Sequence, residues 1–323
     1  MEQREMGNQT SIAKFILLGF GNLPELHIPL FLLFLAICLV TVAGNILIIV
    51  LVVADQHLHT PMYFFLANLS CLETFCTLTI LPKMLASFLT EVGAISVGGC
   101  ITQFYCFALL ATTECYPLAS MSYDQYLAIC KPLHYAALMN GRLCLQLAGA
   151  SWMSGFLVST ILLLLISQLK FCGPSEIDHF FCDFTPLINL SCSDTSLVTW
   201  TTFAFAYIDI PPPFVITVAS YSCIISTVLR IPSSKGRQKA FSTCSSHLMV
   251  VTLFYGTLII VYVIPKSSAL RNLNKVFSVF YSVLTPLVNP LIYSLRNREV
   301  RKALRKVVSK FVRFNRTEMG SVK

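Results

Sequence analysis

Three acidic side chains lie inside long, predominantly apolar segments of the sequence, where a carboxylate is costly to bury. Glu73 and Glu114 are the deepest pair. Two nearby carboxylates either share a proton or hold a cation, because like charges repel strongly at low dielectric. We therefore predict a shared proton or cation site at these residues. The alternative is that each acid is simply hydrogen-bonded to neighbouring Ser, Thr or Asn side chains.

The third acid, Asp209, lies within one helical turn of the three consecutive prolines that follow it. It can face a ligand cavity and accept a donor or a cationic group. It can also accept hydrogen bonds from backbone donors that the prolines expose, and the sequence slightly favours this structural role. His247 lacks the second His and the carboxylate of a metal site, so we expect it to pack or to act as a local switch. Enzyme motifs are absent, and no catalytic activity is predicted.

The amino-acid composition indicates the kind of protein in which these acids are buried. Only 12% of the residues are charged, 55% are hydrophobic, and the mean hydropathy is +0.72. Such a chain cannot cover the surface of a soluble fold, so we predict an all-α membrane protein with seven spanning helices. The seven apolar stretches are Leu26–Ala54, Pro61–Leu89, Val97–Cys130, Leu143–Gln168, Leu197–Leu229, Ala240–Ile264 and Lys275–Leu295.

The loops between these stretches differ in positive charge. Most Lys and Arg residues lie on the side that includes the C-terminus, which predicts a cytoplasmic C-terminus and an extracellular N-terminus. The net charge of +8 is then a topology signal and implies no nucleic-acid partner. The predicted parts are an extracellular segment 1–25, a seven-transmembrane domain 26–296 with a long extracellular loop 169–196, and a basic tail 297–323. Asn8 begins a glycosylation sequon on the outer side.

Four of the 13 cysteines fall on the predicted outer side, where conditions are oxidising. They are Cys100, Cys172, Cys182 and Cys192. Two disulfides are expected, and the sequence leaves all three connectivities open. A metal site is the less favoured interpretation, because His179 is the only nearby histidine.

Several different short motifs occur one after another along the seven stretches. They are Gly44-Asn45, LHTPMYFFLANLSCLE at 58–73, MSYDQYLAICKPLHY at 121–135, Ser220-Tyr221, KAFSTCSSHL at 239–248 and PLVNPLIYSLRN at 286–297. Each motif alone is weak, but the ordered set is specific. The chain resembles the olfactory receptors, which are rhodopsin-like G-protein-coupled receptors, over nearly its whole length. The resemblance implies disulfides Cys100–Cys182 and Cys172–Cys192, and a short amphipathic eighth helix within the basic stretch 298–313.

The resemblance also implies a function. A small, mostly apolar odorant would bind in the outer half of the bundle and activate a stimulatory heterotrimeric G protein that raises cAMP. The plasma membrane of olfactory sensory neurons is the implied location. The positions matching the family's pocket are Phe104, Phe107, Ala108, Ala111, Thr112, Phe205, Ala206, Asp209, Leu258, Ile259 and Tyr262.

Other matches concern switching. The residues that match the family's switch and G-protein-coupling elements are Asp124, Gln125, Tyr126, Tyr221, His247, Tyr255, Asn289, Pro290 and Tyr293. Glu73 and Glu114 match its sodium position, so the only implied cofactor is a bound sodium ion. One departure matters: Gln125 stands where the family usually has Arg, and it supplies neither the ion pair nor the rigid donor fork of Arg. We therefore expect weakened coupling.

Two other functions fit parts of the sequence. A receptor of the same fold could detect a non-odorant small molecule outside olfactory tissue. An ion-coupled transporter could use the three buried acids as an ion pathway. The odd number of spans, the absence of internal repeats and the receptor motifs argue against the transporter.

Overall fold

Helices follow one another along most of the chain in a computed structural model that describes residues 13–21, 24–90, 93–172, 175–259, 271–297, 299–307 and 309. In the first half, strand β1 (Lys14–Leu17) precedes helices α1 (Pro24–Ala54) and α2 (Pro61–Thr90), then strand β2 (Ala94–Ser96), α3 (Val97–Cys130), α4 (Tyr135–Leu138) and α5 (Gly141–Ile166). In the second half come β3 (Glu176–Ile177), α6 (Phe184–Ile188), α7 (Ser196–Asp209), α8 (Pro211–Leu229), α9 (Ser234–Leu258), α10 (Arg271–Val279), α11 (Thr285–Arg296) and a helix α12 over 299–307.

Five helical stretches in the described part of the chain are long and apolar enough to cross a membrane. They are Glu25–Ala54, Pro61–Thr90, Gly141–Ile166, Ser196–Leu229 and Lys275–Ser294. Their outward faces carry large exposed apolar side chains, such as Ile28, Trp200 and Tyr207, each more than 70% exposed. An apolar surface of this extent indicates a lipid environment. Helix α3 has the predicted bounds but carries more polar residues, and α9 has only a short apolar part, Cys244–Leu258.

The three prolines at 211–213 break the fifth predicted span, as the sequence indicated. Helix α7 ends at Asp209, and α8 begins with Pro211 at its first position. Proline removes a backbone donor and clashes with the preceding turn, but it is well tolerated at a helix start. Ile210 lies between the two helices, and its backbone N–H still reaches the Ala206 carbonyl at 3.1 Å. The chain therefore bends at Ile210, and α8 continues the apolar stretch that α7 begins.

Helix α3 is the central helix and packs against α2, α5, α8 and α9. Its buried positions include polar residues such as Gln103, Thr113 and Ser122. A helix surrounded by other helices can carry polar groups at membrane depth, because neighbouring side chains and backbone satisfy them. Gln103 illustrates this: its amide donates to the Thr79 carbonyl and accepts from the Cys182 N–H, both at 3.0 Å.

A small sheet covers one end of the helices, which we call the sheet end. Strand β1 lies between β2, antiparallel to it, and β3, parallel to it. A disulfide joins Cys100 at the start of α3 to Cys182, with Cα atoms 5.4 Å apart, and a second joins Cys172 to Cys192 at 5.8 Å. These are the pairings that the resemblance implied. They fix the long loop over the end of the bundle.

Helix α12 lies at the opposite end, which we call the tail end. Asn297 caps it, because its side-chain oxygen accepts from the backbone N–H groups of Glu299 and Val300 at 3.0 and 3.2 Å. Val300 and Ala303 are buried against the other helices, whereas the Lys and Arg side chains at 301, 302, 305 and 306 are exposed. This amphipathic helix occupies part of the stretch that the resemblance assigned to it. Asn8 and Tyr262 lie outside the described residues.

Helices α3 and α5 approach each other closely at Gly155, which generates a prediction about stability. A Cβ atom at this position would lie 2.7 Å from the Leu109 carbonyl oxygen and would also collide with Thr113. We expect Gly155→Ala to cost about 1–3 kcal/mol of folding free energy through overpacking. The measurement is the thermal midpoint of the purified receptor in detergent, which should fall by about 2–4 °C per kcal/mol.

Gly149 in the same helix provides the matched control. It is exposed, and a Cβ atom added there would have no neighbouring atom within 4 Å. Gly149→Ala should leave the midpoint unchanged or raise it slightly, because Ala has the higher helix propensity. Equal midpoints for the two variants would contradict the close approach.

Candidate functional site

A cavity of ≈ 130 Å³ opens among α3, α5, α7, α9 and the loop at the sheet end. Its wall on α3 consists of residues three and four positions apart, which share one face of a helix. Helix α7 presents a second such series. The lining residues are Phe104, Phe107, Ala108, Ala111, Thr112, Cys115, Val158, Leu162, Asp183, Phe184, Thr202, Phe205, Ala206, Asp209, Ile210, Leu258 and Tyr281. The wall is mostly apolar and aromatic, with few polar groups, as in sites for small molecules.

Nine of the eleven residues predicted for the pocket line this cavity. They are Phe104, Phe107, Ala108, Ala111, Thr112, Phe205, Ala206, Asp209 and Leu258. Ile259 does not line it. This residue follows Leu258 directly, so it points about 100° away around the helix, and it is 36% exposed on the outer side.

Asp209 connects three helices at the base of the cavity. Its Oδ1 accepts hydrogen bonds from the Tyr116 hydroxyl of α3 at 2.5 Å and from the Ser154 hydroxyl of α5 at 3.2 Å. Its described hydrogen bonds thus run to side chains, and the backbone-capping role that the prolines suggested is not observed. The side chain is only 6% exposed and also lines the cavity. Asp209 therefore links helices through its hydrogen bonds and also lines the cavity.

The roof of the cavity comes from the loop that the Cys100–Cys182 disulfide holds in place. Asp183 follows this bond, and its Oδ1 accepts from the Phe184 N–H at 2.8 Å. The Phe184 ring lies 6.3 Å from the Phe104 ring across the cavity wall. The sequence interpretation placed the pocket under this loop but named none of its residues. The loop's fold, which only the structure shows, brings Asp183 and Phe184 inward.

Aromatic rings close the side of the cavity that faces α10 and α11. Phe107 contacts Phe181 and Tyr281, with ring centroids 4.8 and 5.4 Å apart. Tyr281 lies in a short π-helical turn, Phe280–Leu284, between those two helices. Such turns are frequent at functional sites. No sequence motif marked this turn, so Tyr281 was also missed.

Helix α9 connects the cavity to the tail end. Leu258 lines the cavity. Tyr255 precedes it by three residues, and His247 precedes Tyr255 by eight, so all three lie on the same face of the helix. Tyr255 is buried and donates its hydroxyl to the Cys115 carbonyl of α3 at 3.2 Å. Its ring also packs 5.2 Å from Phe214 on α8. Movement of Leu258 would thus be transmitted to a buried contact among three helices.

Gln125 takes part in a buried polar cluster with Tyr221 and His247. The Tyr221 hydroxyl donates to Gln125 Oε1 at 3.1 Å and lies 2.6 Å from His247 Nδ1. Since a hydroxyl has one proton, His247 Nδ1–H is the donor to Tyr221 in this arrangement. The three residues are at most 5% exposed and join α3, α8 and α9. Gln125 and His247 thus belong to one buried cluster, because both form a hydrogen bond with the Tyr221 hydroxyl.

Asp124, beside Gln125, has a different partner. Its Oδ1 accepts from the Tyr135 hydroxyl at 2.8 Å. Tyr135 begins the short helix α4 after α3, so this bond fixes the turn at the tail end. The neighbouring Tyr126 packs its ring 6.1 Å from that of Tyr123. The described partner of the Asp124 carboxylate is therefore a neutral phenol.

The acidic pair Glu73 and Glu114 is buried below the cavity, at 1% and 7% exposure. Asn289 on α11 donates its amide to Glu73 Oε1. The two carboxylates interact electrostatically, and one oxygen of each is buried without a hydrogen-bond partner among the described residues. Pro290 packs next to Gly44, and Tyr293 is buried on the same helix. The predicted sodium residues are thus close together, although the described residues contain no group of three or more His, Cys, Asp or Glu that could hold a metal.

A second, larger crevice of ≈ 560 Å³ lies on the outside of α3 and α8 nearer the tail end. Tyr123, Ile216 and Cys223 are among the residues that line it, and its lining includes no charged side chain. Ile216 and Cys223 are exposed on the outer face, so the crevice opens toward lipid. The smaller cavity, which is covered by the loop and contains two acids, is therefore the better candidate for a specific ligand site.

Comparison with known proteins identifies the family from the sequence. The sequence pattern of the olfactory receptor family matches residues 34–311. Human olfactory receptor 11A1 is 50% identical over 95% of this chain and 97% of its own length, and human olfactory receptor 6B1 is 49% identical over 94% and 97%. Mouse olfactory receptor 8U3 is 47% identical over 94% and 95%.

The fold comparison extends this relationship. The crystal structure of squid rhodopsin superimposes with a TM-score of 0.70, covering 90% of this chain and 87% of that one, at 15% sequence identity. At this identity the similarity concerns the fold alone. The chain belongs to the olfactory receptor family, and its fold resembles that of rhodopsin.

Proposed function

We propose that the chain is an odorant receptor that binds a small, mostly apolar molecule in the cavity at the sheet end and activates a heterotrimeric G protein of the stimulatory type, raising cAMP. No enzymatic activity is part of this proposal. The observation that carries it is the cavity beneath the disulfide-held loop, which is lined by aromatic residues and lies directly above the buried contacts of Tyr255. The proposed location is the plasma membrane of olfactory sensory neurons.

The proposed topology has seven spans, with the sheet end outside and the tail end inside the cell. The rhodopsin-like fold and the five apolar stretches support it. Helix α3 would be a sixth span, whose polar residues are covered by its neighbours, and α9 a seventh. The excess of Lys and Arg at the tail end supports the orientation. The disulfides at the sheet end are compatible with an oxidising exterior.

Ligand binding would act through α9. A ligand that contacts Leu258 and Phe107 favours whichever helix arrangement it fits better, and it can shift the equilibrium only by that difference in affinity. Tyr255 transmits the shift, since it bonds to α3 and packs against α8. The Gln125–Tyr221–His247 cluster then either holds or releases the tail ends of α3, α8 and α9. Opening at that end would admit the G protein.

Glu73, Glu114 and Asn289 would form the ion site of this receptor. The partnerless buried oxygens of the two acids are suitable ligands for a hard cation such as sodium. A shared proton would equally lower the cost of burying both carboxylates. Either one would stabilise the arrangement in which Asn289 bonds to Glu73.

The first test concerns the location of the odorant. Ala111 lines the cavity, and Ala111→Phe would place a ring in its limited volume. We expect odorants that activate the native receptor in a cAMP reporter screen to lose potency by about tenfold or more, because overpacking excludes the ligand. Surface expression should be unchanged.

Ala219→Phe is the matched control, because Ala219 lines the outer crevice and is exposed. This variant should keep the native potency. If Ala219→Phe reduced potency and Ala111→Phe did not, the odorant would bind in the outer crevice and the proposed site would be wrong.

The second test concerns coupling. Gln125→Arg should strengthen the maximal cAMP response at equal surface expression, because Arg provides a charge and a rigid set of donors that Gln lacks. Gln238→Arg adds the same charge at an exposed position of α9 and should have little effect. An unchanged response for Gln125→Arg, or an equal rise for both variants, would show that residue 125 does not limit signalling.

A further inference from the structure

The charged residues that line the cavity are both acidic. Asp183 and Asp209 are 7% and 6% exposed, and no Lys, Arg or His is among the described lining residues. Carboxylates in an apolar site are costly unless a cation accompanies them. We propose that this cavity selects small organic ammonium ions, with Asp209 as the principal counter-ion and Asp183 as a second acceptor at the roof. This inference rests on the proposed function and specifies its ligand class.

The protein's own contacts hold the Asp209 carboxylate in one orientation. Both described bonds end on Oδ1, and both donors are neutral hydroxyls, from Tyr116 and Ser154. Neither donor lines the cavity, so they hold the carboxylate from behind. No donor to Oδ2 is found in the part of the chain that the structure describes, which leaves this oxygen for a ligand.

The basic groups near the roof do not neutralise Asp183. His179 interacts with it electrostatically, but burial lowers the pKa of His179 below its ordinary value of 6.5, so the ring is neutral at pH 7. Its Nδ1 lies 3.1 Å from the Phe181 carbonyl oxygen. Lys275 is paired with Asp178 at 2.5 Å and lies over the Phe180 ring. A positive charge for the cavity must therefore come from the ligand.

The remaining wall suits an ammonium ion with a hydrocarbon body. Aromatic faces attract ammonium groups, and five rings line the cavity. They belong to Phe104, Phe107, Phe184, Phe205 and Tyr281. The volume of ≈ 130 Å³ is well below the range of about 300–1,000 Å³ typical of drug-sized ligands. The favoured ligands are thus primary or secondary amines with a short or cyclic alkyl group.

The test compares amines with neutral molecules of the same shape. Cells expressing the full-length receptor, and in parallel its Gln125→Arg variant, are exposed to cyclohexylamine, cyclohexanol and methylcyclohexane, and to isopentylamine and isopentanol. We expect each amine to act at a concentration about tenfold or more below that of its matched alcohol, since hydrogen bonds to charged groups are stronger than neutral ones. Thermal shifts of the purified receptor should rank the compounds in the same order.

Three variants locate the effect. Asp209→Asn keeps the size of the side chain and an acceptor for Tyr116 but removes the charge, so the amine preference should fall by about tenfold while responses to alcohols remain. Asp183→Asn, which retains a good helix cap, should reduce the preference less. Asp194→Asn removes an exposed acid that lies outside the cavity and should leave the preference unchanged.

The outcomes separate this inference from the proposed function. Equal potency of amines and alcohols, or an amine preference that survives Asp209→Asn, overturns the ammonium assignment while an odorant receptor remains. A receptor that shows neither a response nor a thermal shift with these amines also overturns it. Failure of a broad odorant screen, by contrast, contradicts the proposed function itself.

Discussion

The structure depends above all on the cost of leaving polar groups without partners in lipid. Helix α3 carries the largest share of these buried polar groups. Gln103, Glu114 and Gln125 are buried at three successive levels along it. Each level requires a neighbour: the loop and α2 at the top, α2 and α11 in the middle, and α8 and α9 at the bottom. The central position of α3 meets this requirement, and the absence of a side chain at Gly155 permits its close approach to α5.

The same constraint links the cavity to the tail end of the bundle. A buried polar contact is satisfied in one arrangement of the helices and costly when it is broken. The buried hydrogen bonds of Tyr255, Tyr221 and Asp209 therefore stabilise this arrangement of the helices. Asp209 lies where α7 gives way to α8, and the proline break places its carboxylate beside both the cavity and α3. In the proposed function, ligand recognition and helix arrangement are coupled at Asp209.

The sequence predicted the long helices well, because apolar runs and prolines act locally and leave a clear pattern. The bounds of α3 and the break at Ile210 are examples. The sequence was less informative about contacts between distant segments. It did not identify Asp183, Phe184 or Tyr281 as cavity residues, since their positions depend on the folded loop and on a π-helical turn. It also left the role of Asp209 open between capping and ligand contact, and only the arrangement of Tyr116 and Ser154 resolves its hydrogen bonding.

The most direct test of this account is to determine where an activating ligand lies, by cryo-electron microscopy of the receptor bound to the most potent compound found in a screen. We expect ligand density between α3 and α7, beneath Phe184 and in contact with Phe107 and Asp209. Density in the outer crevice beside Tyr123, with the cavity empty, would contradict the account.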